Sequence, residues 1–116
     1  MPKLKITVLE RTFNHEIAEA YGSDGFKQGR GFGPCPNFQD GQEFVLDGLS
    51  KPERFCNWAW ADLHGAIRTV AFGGEHDYLK KRGAALACCT DGMKPVVFRI
   101  ERVNSSAGPG RDIPED

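Results

Sequence analysis

The longest amphipathic stretch of the sequence constrains the fold most. The apolar residues that recur at helical spacing are Phe55, Ala59, Leu63, Ile67, Val70 and Ala71. Cys56 and Trp60 widen the same face. This periodicity predicts one long helix with a single buried face. Because Ser50 and Glu53 match a capping box, we expect the helix to begin at Ser50 and to end at Ala71, before Gly73 and Gly74. Such a helix must bury its apolar face against a second layer.

Four strands are expected to form that layer. Leu4, Ile6 and Val8 alternate with polar residues, the period-two pattern of a half-buried strand. Three further strands are expected at residues 43–47, 84–90 and 96–103, and we expect the strand at 84–90 to be buried. The sequence therefore predicts a single small α+β domain over residues 1–103: a mainly antiparallel sheet of about four strands, packed on one long and one short helix.

A glycine- and proline-rich stretch over residues 22–36 is expected to be a long loop. It follows the short helix, which Asn14 is placed to cap and Gly22 is placed to end. Loops of this length in compact domains are usually functional or disordered. The tail at 104–116 is rich in Ser, Gly, Pro and acidic residues, and we expect it to be disordered.

Charge and hydropathy argue against two classes of function, nucleic-acid binding and membrane insertion. The net charge is −1 and the basic residues are scattered, so the sequence lacks the basic stripe of a nucleic-acid-binding protein. The N-terminus lacks the apolar core of a secretory signal, and no apolar run approaches the roughly 20 residues that span a bilayer. We therefore expect a cytoplasmic protein that binds neither nucleic acid nor membrane. Thiols in that compartment are normally reduced, which argues against two structural disulfides.

Three motifs contain all four cysteines of the chain. They are Cys35-Pro36-Asn37-Phe38, Phe55-Cys56-Asn57-Trp58-Ala59-Trp60 and Ala87-Cys88-Cys89-Thr90-Asp91-Gly92, the last followed by Pro95-Val96-Val97-Phe98. Together they resemble a family of short uncharacterised prokaryotic proteins, mainly from anaerobes, over about Leu4 to Val103. The resemblance implies that cysteines are typical at these positions and that some members lack the second sulfur of the vicinal pair. It implies no activity.

The four thiols are the candidate metal ligands: Cys35, Cys56, Cys88 and Cys89. Thiolate sulfur suits zinc and iron–sulfur clusters, although the spacing lacks the two close C-x2-C pairs of a strong zinc signature. Neighbouring side chains on a regular strand point to opposite faces, so Cys88 and Cys89 cannot readily share one ion. This favours three sulfurs with an open or non-thiol fourth position. The residues expected to line such a site are Trp58, Trp60, Asp62, His64 and Asp91.

Three functions stay open at this point. The first is a small protein that binds zinc or an iron–sulfur centre through these thiolates. The second is a thiol-redox or nucleophilic-cysteine protein, with Cys35 reactive on its loop and Cys88 or Cys89 resolving it. The third is a non-catalytic partner-binding module with packed cysteines, whose sheet edge and glycine loop meet another protein subunit or a second copy in a homo-oligomer. The sequence does not decide whether the protein is an enzyme.

Overall fold

The computed structural model describes residues 3–29 and 31–103, and it confirms the predicted α+β class. Its four strands are β1 (Lys3–Arg11), β2 (Glu43–Leu46), β3 (Ala84–Cys88) and β4 (Val96–Val103). Its helices over the described residues are α1 (His15–Tyr21), α2 (Asp24–Gln28) and α3 (Asn57–Ala71). The strands form one antiparallel sheet in the spatial order β2-β1-β4-β3. The disorder expected at 104–116 lies outside the described residues.

The two central strands supply the buried face of this sheet. Their fully buried residues are Leu4, Ile6 and Val8 on β1 and Val96, Phe98 and Ile100 on β4. Helix α3 covers this inner face with Ala59, Leu63, Ile67 and Val70. The period-two and helical patterns therefore identified both sides of the core. The outer face includes three exposed side chains, those of Val45, Leu86 and Cys88.

The predicted start of α3 is wrong. The capping box at Ser50 does not begin a helix; α3 begins at Asn57, with Cys56 as its N-cap. The preceding residues form a turn in which Arg54 has a φ of 69°. This turn places the Phe55 ring against four other rings, at centroid distances of 4.8 to 5.8 Å, those of Phe38, Phe44, Trp60 and Phe98. Ring packing and burial of Phe55 outweigh a local capping signal of about 1 kcal/mol.

The glycine-rich stretch is not one long loop, because it contains α2. Phe32 packs against Phe13 and Phe26, with ring centroids 5.0 and 5.9 Å apart. The Lys94 ammonium lies 5.2 Å from the centre of the Phe26 ring and donates a hydrogen bond to the Gly31 carbonyl at 3.1 Å. Rings scattered among glycines show no periodicity, so this small aromatic cluster was not predictable from the sequence.

Arg102 on β4 joins the sheet to the end of α3. Its guanidinium donates hydrogen bonds to the carbonyls of Val70, at 2.8 Å, and Gly74, at 3.4 Å. It also pairs with the Glu75 carboxylate at 3.3 Å, and its side chain is only 18% exposed. Carbonyls in the last turn of a helix lack intrahelical partners, so a cation placed there stabilises the helix terminus.

We expect Arg102→Met to lower the free energy of unfolding by about 1–3 kcal/mol, because it leaves these carbonyls without a charged donor. The matched control is Arg82→Met, since Arg82 pairs with the same Glu75 at 3.1 Å but its side chain is 70% exposed. That variant should change stability by less than about 1 kcal/mol. Urea unfolding of both variants measures the difference, and equal losses would contradict the role given to Arg102.

Candidate functional site

The four cysteines are free thiols in different surroundings. Cys35 is 8% exposed and belongs to the hydrophobic core, and Cys56 and Cys89 are half-buried against the same core. Cys88 is exposed. Over residues 3–29 and 31–103, no three His, Cys, Asp or Glu side chains form a group that could hold a metal ion. Metal binding by these cysteines therefore stays a prediction.

The vicinal pair divides between the two faces of the sheet, as strand geometry predicts. Cys88 lies opposite Val97 on the outer face, whereas Cys89 turns toward the core. The Cys89 amide donates to the Val96 carbonyl at 3.2 Å, and the Val96 amide donates to the Cys89 Sγ at 3.4 Å. The second thiol is thus a hydrogen-bond acceptor that closes the β3–β4 ladder.

The segment that carries Cys35 is fixed to the sheet by Arg11. The Arg11 guanidinium donates to the Cys35 carbonyl at 3.1 Å and to the Asp40 carboxylate at 3.3 Å. The Arg11 backbone amide donates to the same Asp40 oxygen at 3.0 Å. Cys35 lies on a loop, as the reactive-thiol hypothesis assumed, but its side chain is buried.

Three of the predicted site-lining residues surround the turn between β3 and β4. The Trp58 indole donates to the Thr90 hydroxyl at 2.7 Å. The Asp62 carboxylate accepts from the Thr90 hydroxyl at 3.0 Å and from its amide at 2.8 Å. Asp91 accepts from the amides of Met93 and Lys94 at 2.9 and 3.0 Å, which makes it a turn residue. Together these bonds fix the hairpin against α3.

The other two predicted lining residues lie on the opposite flank of α3. Trp60 packs on Phe55 with ring centroids 5.7 Å apart, and the His64 ring follows at 5.8 Å from Trp60. Trp58, by contrast, is 54% exposed, as expected for two tryptophans roughly 200° apart on a helix. Within the described part of the chain, the buried His64 Nδ1 has no hydrogen-bond partner.

The outward edge of β3 is a feature that the sequence did not reveal. The Gly83 carbonyl accepts from the Arg102 amide at 3.0 Å, and the Cys89 amide donates to Val96. Because bonded pairs alternate along an antiparallel ladder, the residues between them turn their backbone groups away from β4. These residues are Ala84, Leu86 and Cys88. None of their backbone groups forms a hydrogen bond to any other described residue.

This edge lacks the usual protections against pairing with another strand. Natural edge strands commonly carry charges, prolines or bulges, yet the β3 sequence from Ala84 to Cys88 has none of these. The expectation of a buried strand was wrong for Leu86, which is 45% exposed, and for Cys88. An apolar run alone does not distinguish an edge strand from a central one, because both lack a polar alternation.

Comparisons with models of protein families, with curated proteins and with solved structures find no match to this chain. They leave the resemblance carried by the cysteine motifs untested. Among the described residues, the helices include none with the length and apolar character needed to cross a bilayer.

Differences in burial predict the order in which the thiols react. Under native conditions we expect iodoacetamide to alkylate Cys88 first and Cys35 last, because modification requires access to the sulfur. Mass spectrometry of digested samples over time measures the order. In urea the four rates should converge, and a native Cys35 that reacts fastest would instead support the reactive-thiol hypothesis.

We expect Asp62→Ala to lower the free energy of unfolding by about 1–2 kcal/mol, because the Thr90 amide and hydroxyl lose their acceptor. Asp77→Ala is the control, since it removes an exposed carboxylate from the loop after α3 and should cost less than about 0.5 kcal/mol. Thermal unfolding of both variants at one pH tests the difference. Equal stabilities would show that Asp62 does not hold the hairpin.

Proposed function

We propose that this protein is a non-catalytic interaction module that binds a polypeptide strand along the free edge of β3. The observation that carries the proposal is the row of backbone groups on Ala84, Leu86 and Cys88 that bond to no other residue within 3–29 and 31–103. In strand addition, main-chain hydrogen bonds to such an edge supply affinity, and alternate side chains supply specificity. The edge therefore offers a complete recognition surface without any catalytic group.

The side chains beside the edge support the same function. Leu86 and Cys88 project from the outer face and are exposed, with Val97 half-buried opposite Cys88. An added strand would place alternate side chains beside Leu86 and Cys88, where burial of apolar surface contributes about 25 cal/mol per Å². An added strand would thus form backbone hydrogen bonds and apolar contacts at the same residues of β3.

The edge is also held rigidly before any partner arrives. β4 pairs with β3 along its length, α3 packs on its inner face, and Asp62 fixes the hairpin through Thr90. A preorganised edge lowers the entropy lost on binding, because the strand need not be ordered by its partner. In this proposal Cys35 and Cys89 serve packing and hydrogen bonding.

Metal binding is a second candidate, and one observation favours it: Cys35, Cys56 and Cys89 all contact the same hydrophobic core. Protein purified without oxygen and analysed for metals and visible absorbance tests it directly. Near-stoichiometric zinc or iron, lost on substitution of these thiols, would support the metal hypothesis. Metal-free protein that is fully folded would contradict it.

The interaction module is tested with Leu86→Pro. The Leu86 amide points away from β4, so proline removes no internal hydrogen bond but blocks the edge. Val45→Pro is the matched control, because Gln42 bonds to Val8 and the alternation turns the Val45 amide outward on β2. In affinity purification from cell extract, a polypeptide should be retained by the wild type and Val45→Pro and lost with Leu86→Pro.

Cross-linking with an amine-reactive reagent locates the bound polypeptide. Lys80 lies in the segment just before β3, and we expect its amine to form the cross-links. Retention by Leu86→Pro, cross-links confined to other lysines, or no bound polypeptide at all would contradict the proposal.

A further inference from the structure

We infer that the strand received by this edge is β3 of a second copy of the same chain, in an antiparallel pair centred on Leu86. The inference rests on the proposed function, because it names the partner that the edge binds. It gives a two-fold symmetric dimer in which the sheet continues from one copy into the other.

The backbone of β3 matches itself in this register. Leu86 lies opposite Leu86 of the second copy, and Ala84 lies opposite Cys88 of the second copy. All the outward-facing residues of β3 then form hydrogen-bonded pairs, each of which exchanges two N–H···O bonds. A shift of the two-fold axis to Ala85 or Ala87 leaves one outward-facing residue of β3 without a β3 partner. The Leu86-centred register therefore satisfies the most edge groups.

The side chains of β3 permit this pairing because they are uncharged and, apart from Leu86, small. Ala84 and Cys88 face each other on the outer surface, and the two Leu86 side chains meet at the two-fold axis. Each Leu86 is 45% exposed in the single chain, so the pairing covers apolar surface that the chain itself leaves open. Like charges, which destabilise directly opposed pairs, are absent from β3.

The charges that flank β3 favour the antiparallel orientation. Lys80 and Arg82 precede the strand, with Arg82 in an exposed ion pair with Glu75, whereas Asp91 follows the strand and Asp62 lies against that end through Thr90. Antiparallel pairing brings the basic end of each copy to the acidic end of the other, at both ends of the interface. Parallel pairing would place the two basic ends together. Complementary charge of this kind selects register and orientation more than affinity.

The inner face accommodates a second α3. Trp58 and Asp62 contact Thr90 at the end of β3, so their flank of the helix faces the β3 edge. Helical geometry places Ala66 and Thr69 on the same flank. In the dimer the two α3 helices lie on one face of the sheet, where packed helices are about 8–10 Å apart. The small side chains of Ala66 and Thr69 permit that approach along the flank, and Trp58 lies at its N-terminal end.

Sedimentation equilibrium tests the dimer with two matched variants. We expect the wild type to show twice the 12.8 kDa chain mass. Leu86→Glu should weaken association at least about 100-fold, because it replaces two apolar contacts with opposed carboxylates. Val45→Glu, on the other edge of the outer face, should associate as the wild type does. Within the folded chain each new carboxylate has a basic neighbour, Arg99 or Lys5, so both variants are expected to fold.

The register is tested by Leu86→Cys combined with Cys88→Ser. Hydrogen-bonded pairs have Cα atoms about 5.5 Å apart, within the range that a disulfide spans. Mild oxidation should therefore produce a covalent dimer through the introduced thiols. The control, Val45→Cys with Cys88→Ser, should not cross-link faster than Cys88→Ser alone. A stable dimer in which the Leu86→Cys variant does not cross-link would overturn the register.

Failure of this inference is distinguishable from failure of the proposed function. A wild-type protein that stays monomeric, or a dimer that Leu86→Glu does not weaken, overturns the second copy as partner. The proposed function still stands if Leu86→Pro abolishes retention of a different polypeptide. When tagged and untagged copies are mixed, recovery of the untagged chain with the tagged wild type but not with tagged Leu86→Pro supports both proposals.

Discussion

The antiparallel pairing of β1 with β4 is the interaction on which the rest of the structure depends. It aligns the fully buried residues of both strands into one apolar face, against which α3 and the ring of Phe55 pack. A bulge between Val8 and Glu10 shifts the register and turns Arg11 toward the buried face, opposite Val96. From there Arg11 holds the Asp40 and Cys35 segment. One irregularity in the central pair thus positions a distant loop.

Over the described residues α3 packs only on the inner face of the sheet. On the outer face Thr7, Ala84 and Glu101 are buried, whereas Leu86 and Cys88 are exposed. The two edges differ in kind. β2 is short and carries Glu43, which forms an ion pair with Lys5 at 3.6 Å across the outer face. β3 itself carries no charge, although Lys81 in the segment before it forms an ion pair with Glu101 of β4 at 2.8 Å. In the proposed association, the uncharged edge directs the partner strand to β3 and not to β2.

The sequence predicted the elements whose signals are local and periodic. Alternation at Leu4, Ile6 and Val8 and the helical spacing up to Ala71 both correspond to real packing, so these elements and the fold class were predictable. The start of α3 was not, because the packing of Phe55 depends on rings distant in sequence. The free edge was not predictable either, since strand order is a property of the whole sheet. The same limit applies to the thiols, whose surroundings depend on which strand lies at an edge.

The motif around the vicinal cysteines shows how a hairpin can account for residues that suggest a metal site. Cys89 closes the ladder through Val96, Thr90 bonds to Asp62, and Asp91 holds the turn. Each of these polar groups has a structural partner within the described chain. Cys88 differs, because its thiol lies exposed on the outer face of the sheet and its backbone groups point away from β4. In the proposed pairing Cys88 contacts the partner strand, whereas Cys89 stabilises the hairpin within the chain.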